Sequence, residues 1–186
     1  MKHIYENISG WFTFPELYRN IVLLYPNNSH FVEVGTWLGQ SAAYMAVEII
    51  NSNKNIKFDC VDTWKGSEEH INEKVILQDT LYENFLSNIE PVKSVVNPIR
   101  NTSIEASKLY EDNSLDFVFL DAAHDYENVK NDIDAWYPKV KSGGVLAGHD
   151  YSSAWHEVVH AVNTFLKEKN YSLYIQQELC WGILKK

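Results

Sequence analysis

The stretch Phe31-Val32-Glu33-Val34-Gly35-Thr36-Trp37-Leu38-Gly39-Gln40-Ser41 decides how this chain folds. Its opening residues, apolar except for Glu33, suit a buried strand. Two glycines four positions apart then mark a tight turn, and Ser41-Ala42-Ala43-Tyr44-Met45-Ala46-Val47 reads as the first turns of a helix. Strand, glycine turn and helix N-terminus in that order make a ligand-binding corner at the carboxyl edge of a parallel sheet. Glycine lets a backbone turn at positive φ and come close to a ligand.

Downstream of this corner, strand-like and helix-like stretches alternate. Residues 57–62 read as a strand ending on Asp62. Residues 66–90 are helical in tone, with Val75, Ile76, Leu81, Phe85, Leu86 and Ile89 on one face. A short strand over 92–99 precedes a helix over 102–110 with Thr102 or Ser103 as its cap. Leu115-Asp116-Phe117-Val118-Phe119-Leu120 is the clearest central strand and runs directly into Asp121. A helix over 126–137, a glycine turn at 141–144, a strand over 145–150 and a helix over 153–169 follow. Two strands, 171–175 and 179–184, lie too close together for a helical crossover and so pair antiparallel. The pattern predicts an α/β fold, a Rossmann-like doubly wound, mostly parallel seven-stranded sheet with a C-terminal antiparallel strand pair. Residues 1–30 read as an N-terminal helical extension, with a helix starting at Thr13 and apolar Leu17, Ile21, Leu24 and Tyr25 at helical spacing. It serves either as a brace or as a cover over the ligand. Residues 31–186 read as a single domain, without repeats or linkers.

Bulk properties narrow the function. The formal net charge of −9 and the lack of any lysine or arginine cluster argue against nucleic acid and anionic membranes as partners, since both are polyanions. Cys60 and Cys180 sit inside apolar stretches and read as buried free thiols. With no secretory or transmembrane pattern, a cytoplasmic protein is expected. Self-association into a homo-oligomer stays open.

In open α/β sheets ligands bind beyond the carboxyl ends of the strands, so the polar residues there carry the functional information. They are Glu33 and its turn, Asp62, Asp121 with His124 three residues on, and His149-Asp150. Asp62 can accept hydrogen bonds from both hydroxyls of a ribose. Gly35 and Gly39 flank Thr36-Trp37-Leu38, which is not the Gly-x-Gly-x-x-Gly of dinucleotide sites, and Trp37 leaves poor room for a pyrophosphate. A nucleoside without phosphates is therefore the favoured ligand.

Glu33-x-Gly35-x-x-x-Gly39 resembles motif I of the class I S-adenosylmethionine-dependent methyltransferases, and Asp62 resembles their ribose-binding acid. Val61-Asp62-Thr63-Trp64-Lys65-Gly66, Phe119-Leu120-Asp121-Ala122-Ala123-His124-Asp125-Tyr126 and Gly143-Gly144-Val145-Leu146-Ala147-Gly148-His149-Asp150-Tyr151 are most similar to the metal-dependent small-molecule and sugar O-methyltransferases. The resemblance spans about residues 31–184 and makes 31–186 a methyltransferase domain. It implies S-adenosylmethionine as cofactor, with Glu33, Gly35, Thr36, Trp37, Gly39 and Ser41 around its methionine end. Asp62, Thr63 and Trp64 would then lie at the ribose, Ser103 along the adenine and Asp121 beside the methyl donor. It also implies a small hydroxylated acceptor, a sugar or sugar-bearing metabolite. In the related sugar enzymes an Asp-x-x-His pattern supplies a metal ligand and a general base, which here would be Asp121 and His124. A divalent cation, Mg²⁺ or Mn²⁺, would then sit on Asp121, His149 and Asp150.

His149 departs from that group, where an oxygen ligand is usual, and imidazole suits Mn²⁺ better than Mg²⁺. Neighbouring residues of an extended strand also point to opposite faces, so His149 and Asp150 compete for one ion. Trp64, His70, Tyr82, Trp155 and His156 are candidate acceptor contacts. Two other readings compete with methyl transfer: an oxidoreductase using NAD or a nucleotide sugar, and a non-catalytic binding protein that keeps the fold. An NAD site is disfavoured by the glycine spacing.

Overall fold

A computed structural model describes residues 1–67 and 70–186. Its helices are α1 (Pro15–Leu24), α2 (Gln40–Ser52), α3 (Lys74–Leu77), α4 (Leu81–Ile89), α5 (Ser103–Ser107), α6 (Tyr126–Trp136) and α7 (His156–Lys169). Its strands are β1 (His30–Val34), β2 (Lys57–Asp62), β3 (Val96–Arg100), β4 (Leu115–Leu120), β5 (Val140–Gly148), β6 (Ile175–Gln177) and β7 (Cys180–Leu184). They form one seven-stranded sheet in the order β3-β2-β1-β4-β5-β7-β6. Strands β1 to β5 pair in parallel, and β7 runs antiparallel to both β5 and β6. The doubly wound sheet with an antiparallel addition is thus the fold that the alternation predicts. Its strand order reverses between β1 and β4, the switch point where ligands bind in such sheets.

The central strands hold this position because both of their faces are apolar. Phe31, Phe117 and Phe119 point to one side and meet α1 and α2 through Tyr18, Met45 and Val47. Val32, Val34 and Val118 point to the other and meet α6 and α7 through Ile133, Trp136, Val162 and Phe165. Each fully buried Phe or Val contributes roughly 1.5–3 kcal/mol, so this double layer is what fixes the register of β1 against β4. Helix α1 belongs to the first layer: Phe14, Leu17, Tyr18 and Ile21 are part of the same core. The chain leaving α1 is tied to the end of α2 by Lys54, whose Nζ donates to the carbonyls of Val22 (2.6 Å), Leu23 (3.0 Å) and Tyr25 (2.6 Å).

Several expected boundaries move. Helix α1 begins at Pro15 rather than Thr13, because proline is tolerated only at the very start of a helix. The segment 66–90 contains two short helices broken at Asp79, which has φ of 51°, and its residues 68 and 69 lie outside the described residues. The third strand starts at Val96, after a 3-10 turn over Glu90–Val92. The sixth is displaced from 171–175 to Ile175–Gln177. Tyr171 and Leu173 instead pack on the α6–α7 side of the core. β5 extends back through the expected glycine turn to Val140, with an irregular register opposite Leu115–Phe117.

Candidate active site

Everything at the corner after β1 depends on two carboxylates. Asp62, at the end of β2, accepts from the backbone N–H of Thr36 (2.8 Å) and Trp37 (3.0 Å) on one oxygen and from Trp64 N–H (2.7 Å) on the other. It thereby holds two turns at once. Trp37 and Trp64 both have left-handed backbone, with φ of 49° and 50°. Such conformations cost about 1–3 kcal/mol each and persist where the surroundings enforce them. Behind the turn, Glu33 is buried and accepts from the hydroxyls of Tyr18 (2.7 Å) and Ser41 (2.8 Å). Burial pushes its carboxyl up to about 8, against a partial lowering by those two hydroxyls.

Both glycines are required by the packing of the chain around them. A Cβ on Gly35, at φ +86°, would lie 2.1 Å from the backbone oxygen of Asp121. Gly35 is therefore required by the close passage of the chain leaving β4. Gly39, at φ +87°, caps α2 and packs beside Phe85 and Ile89.

A cavity of about 610 Å³ opens outside these strand ends, a size typical of small-molecule sites. Gly35, Thr36, Trp37, Ser41, Asp62, Thr63 and Ser103 form one part of its wall. Asp121, His124, His149 and Asp150 form another. Most residues expected at the site thus share one space, but five do not line it: Glu33, Gly39, Trp64, Tyr82 and His156. Glu33 and Gly39 lie behind the turn. Trp64 is buried against Tyr82 and Phe85, at ring-centroid distances of 4.7 Å, and its Nε1–H donates to the Trp37 carbonyl (3.1 Å). Trp64 is a core residue, Tyr82 is half-buried against the same core, and His156 is an exposed residue opening α7.

Two features of the turn fit a bound nucleoside–amino acid cofactor. Helix α2 has no side-chain cap, so the N–H groups of its first turn are available to a carboxylate. The Thr36 hydroxyl, in a residue only 2% exposed, is a buried polar group with no hydrogen-bond partner among the described residues. Such an orphan is costly unless a ligand satisfies it.

Across the cavity, Asp121, His124 and Asp150 place ligand atoms within 4.8 Å of one another, close enough to share one cation. His124 Nε2 lies 2.9 Å from Asp150 Oδ2, and the imidazole stacks on Trp155 with ring centroids 4.1 Å apart. Burial lifts the Asp121 carboxyl to about 7, with the charge of Asp150 adding to the rise and the two histidines opposing it. Burial alone would raise Asp150 too, yet hydrogen bonds from His124 and His149 hold it well below the usual range. The expected ligand His149 falls outside this trio. Its Nε2 pairs with the Thr13 hydroxyl (2.9 Å) and its Nδ1 with Asp150 Oδ1 (3.2 Å), while Asp121 is 3.8 Å away. Asp150 escapes the strict alternation of a strand because β5 ends at Gly148 and Asp150 has φ of 61°.

Sequence reasoning missed two groups. Trp11, Phe12 and Phe14 of the N-terminal segment line the cavity, as does Asp132 of α6. The aromatic run was visible, but nothing in it gave its direction. Asp132 shares the buried face of α6 with Val129, Ile133 and Trp136, and an acid on an apolar stripe is the signal that would have found it. Burial pushes it up to about 6, against a hydrogen bond from Ser103.

A family model described as a methyltransferase domain matches residues 32–151. An uncharacterized protein of Acanthamoeba polyphaga mimivirus is 27% identical over 179 residues, covering 89% of this chain and 66% of that one. An uncharacterized protein of Sinorhizobium fredii is 29% identical over 119 residues, 64% of this chain and 13% of that one. The chain therefore spans less than two thirds of the length of either relative. Among solved structures, the O-methyltransferase NovP superposes with a TM-score of 0.68 at 17% identity, covering 92% of this chain and 79% of its own. An O-methyltransferase from Bacillus cereus in complex with SAH gives 0.64 at 15% identity, covering 97% and 86%. At these identities the likeness is one of fold.

Proposed function

Because this chain belongs to the methyltransferase domain family, in the class I fold that uses S-adenosylmethionine, we propose that it methylates a hydroxyl group of a small acceptor, a sugar or sugar-bearing metabolite. One observation carries the reading. The turn with the partnerless Thr36 hydroxyl and the Asp121–His124–Asp150 trio open into the same cavity.

When bound, S-adenosylmethionine supplies a methyl group activated by its sulfonium. The chain's part is to hold donor and acceptor in line and to manage one proton. The first turn of α2 would receive the cofactor's carboxylate, and Thr36 a polar atom next to it. Asp62 retains lone pairs beyond its three backbone bonds for the ribose hydroxyls. Ser103 and Asp132 would lie along the adenine. An alcohol becomes a competent nucleophile only as its proton leaves, and His124 is the base placed for it. Asp150, 2.9 Å from His124 Nε2, stabilises the imidazolium that results. With a divalent cation bound instead, Asp121, His124 and Asp150 would be its ligands, His124 would act as ligand rather than base, and the cation would supply Lewis-acid activation of the acceptor oxygen. Two carboxylates and one imidazole accept Mn²⁺ more readily than Mg²⁺. His149 would then steady Asp150 from outside the metal's ligands.

The test has two stages. Calorimetric titration with S-adenosylhomocysteine should show saturable binding, and its absence sinks the reading. Methyl transfer to a panel of hydroxylated acceptors, with and without EDTA, should then fall by about 10²–10⁴-fold in His124→Ala and Asp121→Asn. Undiminished turnover in both variants would remove the trio from the chemistry.

A further inference from the structure

We infer that Thr13, on the segment ahead of α1, is a positioning residue for the trio: its hydroxyl fixes the ring of His149 and, through that ring, the carboxylate of Asp150. The role assigned to Thr13 rests on the methyl-transfer reading above and extends the working site to the N-terminal segment.

The contacts run without a gap. Thr13 Oγ1 lies 2.9 Å from His149 Nε2, His149 Nδ1 lies 3.2 Å from Asp150 Oδ1, and Asp150 Oδ2 lies 2.9 Å from His124 Nε2. Both nitrogens of His149 are therefore engaged, and the two oxygens of Asp150 face different imidazoles. Nδ1 of His149 faces a carboxylate and so carries a proton. Nε2 is then an acceptor in the neutral ring and a donor in the charged one, and a hydroxyl serves either. The rest of Thr13 is exposed, but His149 is only 8% exposed. A ring turned away from Thr13 would leave a buried nitrogen without a partner, which is costly.

Asp150 needs this support. It follows the end of β5 with left-handed backbone, φ 61°, so strand geometry no longer aims its side chain. A second carboxylate also competes for His149, since Asp121 Oδ1 lies 3.8 Å from the same Nδ1. Thr13 holds the ring toward Asp150 because it is itself bracketed. On one side Phe12 N–H donates to Gln40 Oε1 (3.1 Å) at the start of α2. On the other, Phe14 is buried in the core and lies against the His149 ring at 4.9 Å. Whether Asp150 steadies the imidazolium of a His124 base or binds a cation, it has to present the same oxygen in the same direction, and groups behind a site set that direction.

Thr13→Val removes the hydroxyl at nearly constant size, and Thr13→Ser keeps it. Two-bond ¹H–¹⁵N spectra of the imidazoles in the full chain should show Thr13→Val displacing the ring signals of both His149 and His124, with Thr13→Ser leaving both near their wild-type positions. With any acceptor that the wild type methylates, Thr13→Val should lower kcat about tenfold at an unchanged KM for S-adenosylmethionine, and Thr13→Ser should restore most of it. Unmoved His124 signals in Thr13→Val overturn the inference, as does Thr13→Ser behaving like Thr13→Val. Loss of S-adenosylhomocysteine binding in Thr13→Val also overturns it, because the hydroxyl would then support the fold at large rather than the trio. Failure of the wild type to bind S-adenosylhomocysteine would instead overturn the methyl-transfer reading.

Discussion

At Glu33 the corner after β1 rests on a carboxyl that burial pushes up to about 8, from an ordinary value of 4.5. With its folded-state value raised, the folded chain binds a proton that the unfolded chain releases. The stability this contributes is complete below about 4.5 and is lost as pH rises toward about 8. Glu33→Gln removes the titration while keeping Tyr18 and Ser41 as partners, because a hydroxyl accepts as well as donates. Urea denaturation at pH 5 and pH 8 should show the wild type losing roughly 3–4 kcal/mol relative to this variant across that interval. A constant difference would show that Glu33 is ionised throughout. The acid itself was legible in the motif, but its role was not. Alternation along β1 puts Glu33 on the side of Phe31, the side covered by α1, so it supports Ser41 from behind. Asp62 shows the same limit. A carboxylate at a strand end is a visible acceptor, but which N–H groups reach it depends on the left-handed turns at Trp37 and Trp64, which no residue type at those positions announces.

The N-terminal segment is the element whose meaning changed most. From sequence it was either a brace or a cover; the contacts pack it into the core, and its Trp11, Phe12 and Phe14 line the cavity. Tyr18 of α1 reaches Glu33, and Thr13 reaches His149, so the segment touches both the glycine corner and the strand end beyond β5. Phe14 is the pin between them: 1% exposed, it packs on Phe119 at 4.6 Å and on His149 at 4.9 Å while also lining the cavity. Phe14→Ala should cost about 3–5 kcal/mol in chemical denaturation, as for other buried phenylalanines. A loss under about 1 kcal/mol would mean that residues 10–14 are peripheral to the fold. β6 failed to appear where its alternating Tyr171, Leu173 and Ile175 suggested, because the first two found burial against the helices. Periodicity marks which residues want cover, and leaves open which surface supplies it.

At the scale of the whole molecule, the alternation of strands and helices was enough for the sheet, its parallel body and its antiparallel edge. The strand order was less accessible, since spacing does not say that β4 inserts beside β1. That insertion brings the corner at Gly35 against Asp121 and so joins the two parts of the cavity wall. A ligand bound across it should stabilise the entire fold. S-adenosylhomocysteine at about 100 times its dissociation constant should add about 2.7 kcal/mol, and raise the melting temperature by roughly 5–10 °C. An unchanged melting temperature at saturation would show that the cavity does not select the folded state. Among the described residues no helix is long and apolar enough to cross a membrane.

The β1–β4 seam also governs the order in which the molecule can be made. The hydrogen bond from His30 N–H to Asp116 joins residues 86 positions apart, whereas β1 with β2 and β5 with β7 close much shorter loops. Closing so long a loop costs entropy that is recovered only when both apolar halves are ready to meet. As the chain emerges from the ribosome, the glycine corner therefore exists before its counterpart does, with Gly35 still waiting for Asp121. The cleft wall includes His149 and Asp150 beyond β5, so a nascent chain holds the complete cleft only after synthesis has passed β5.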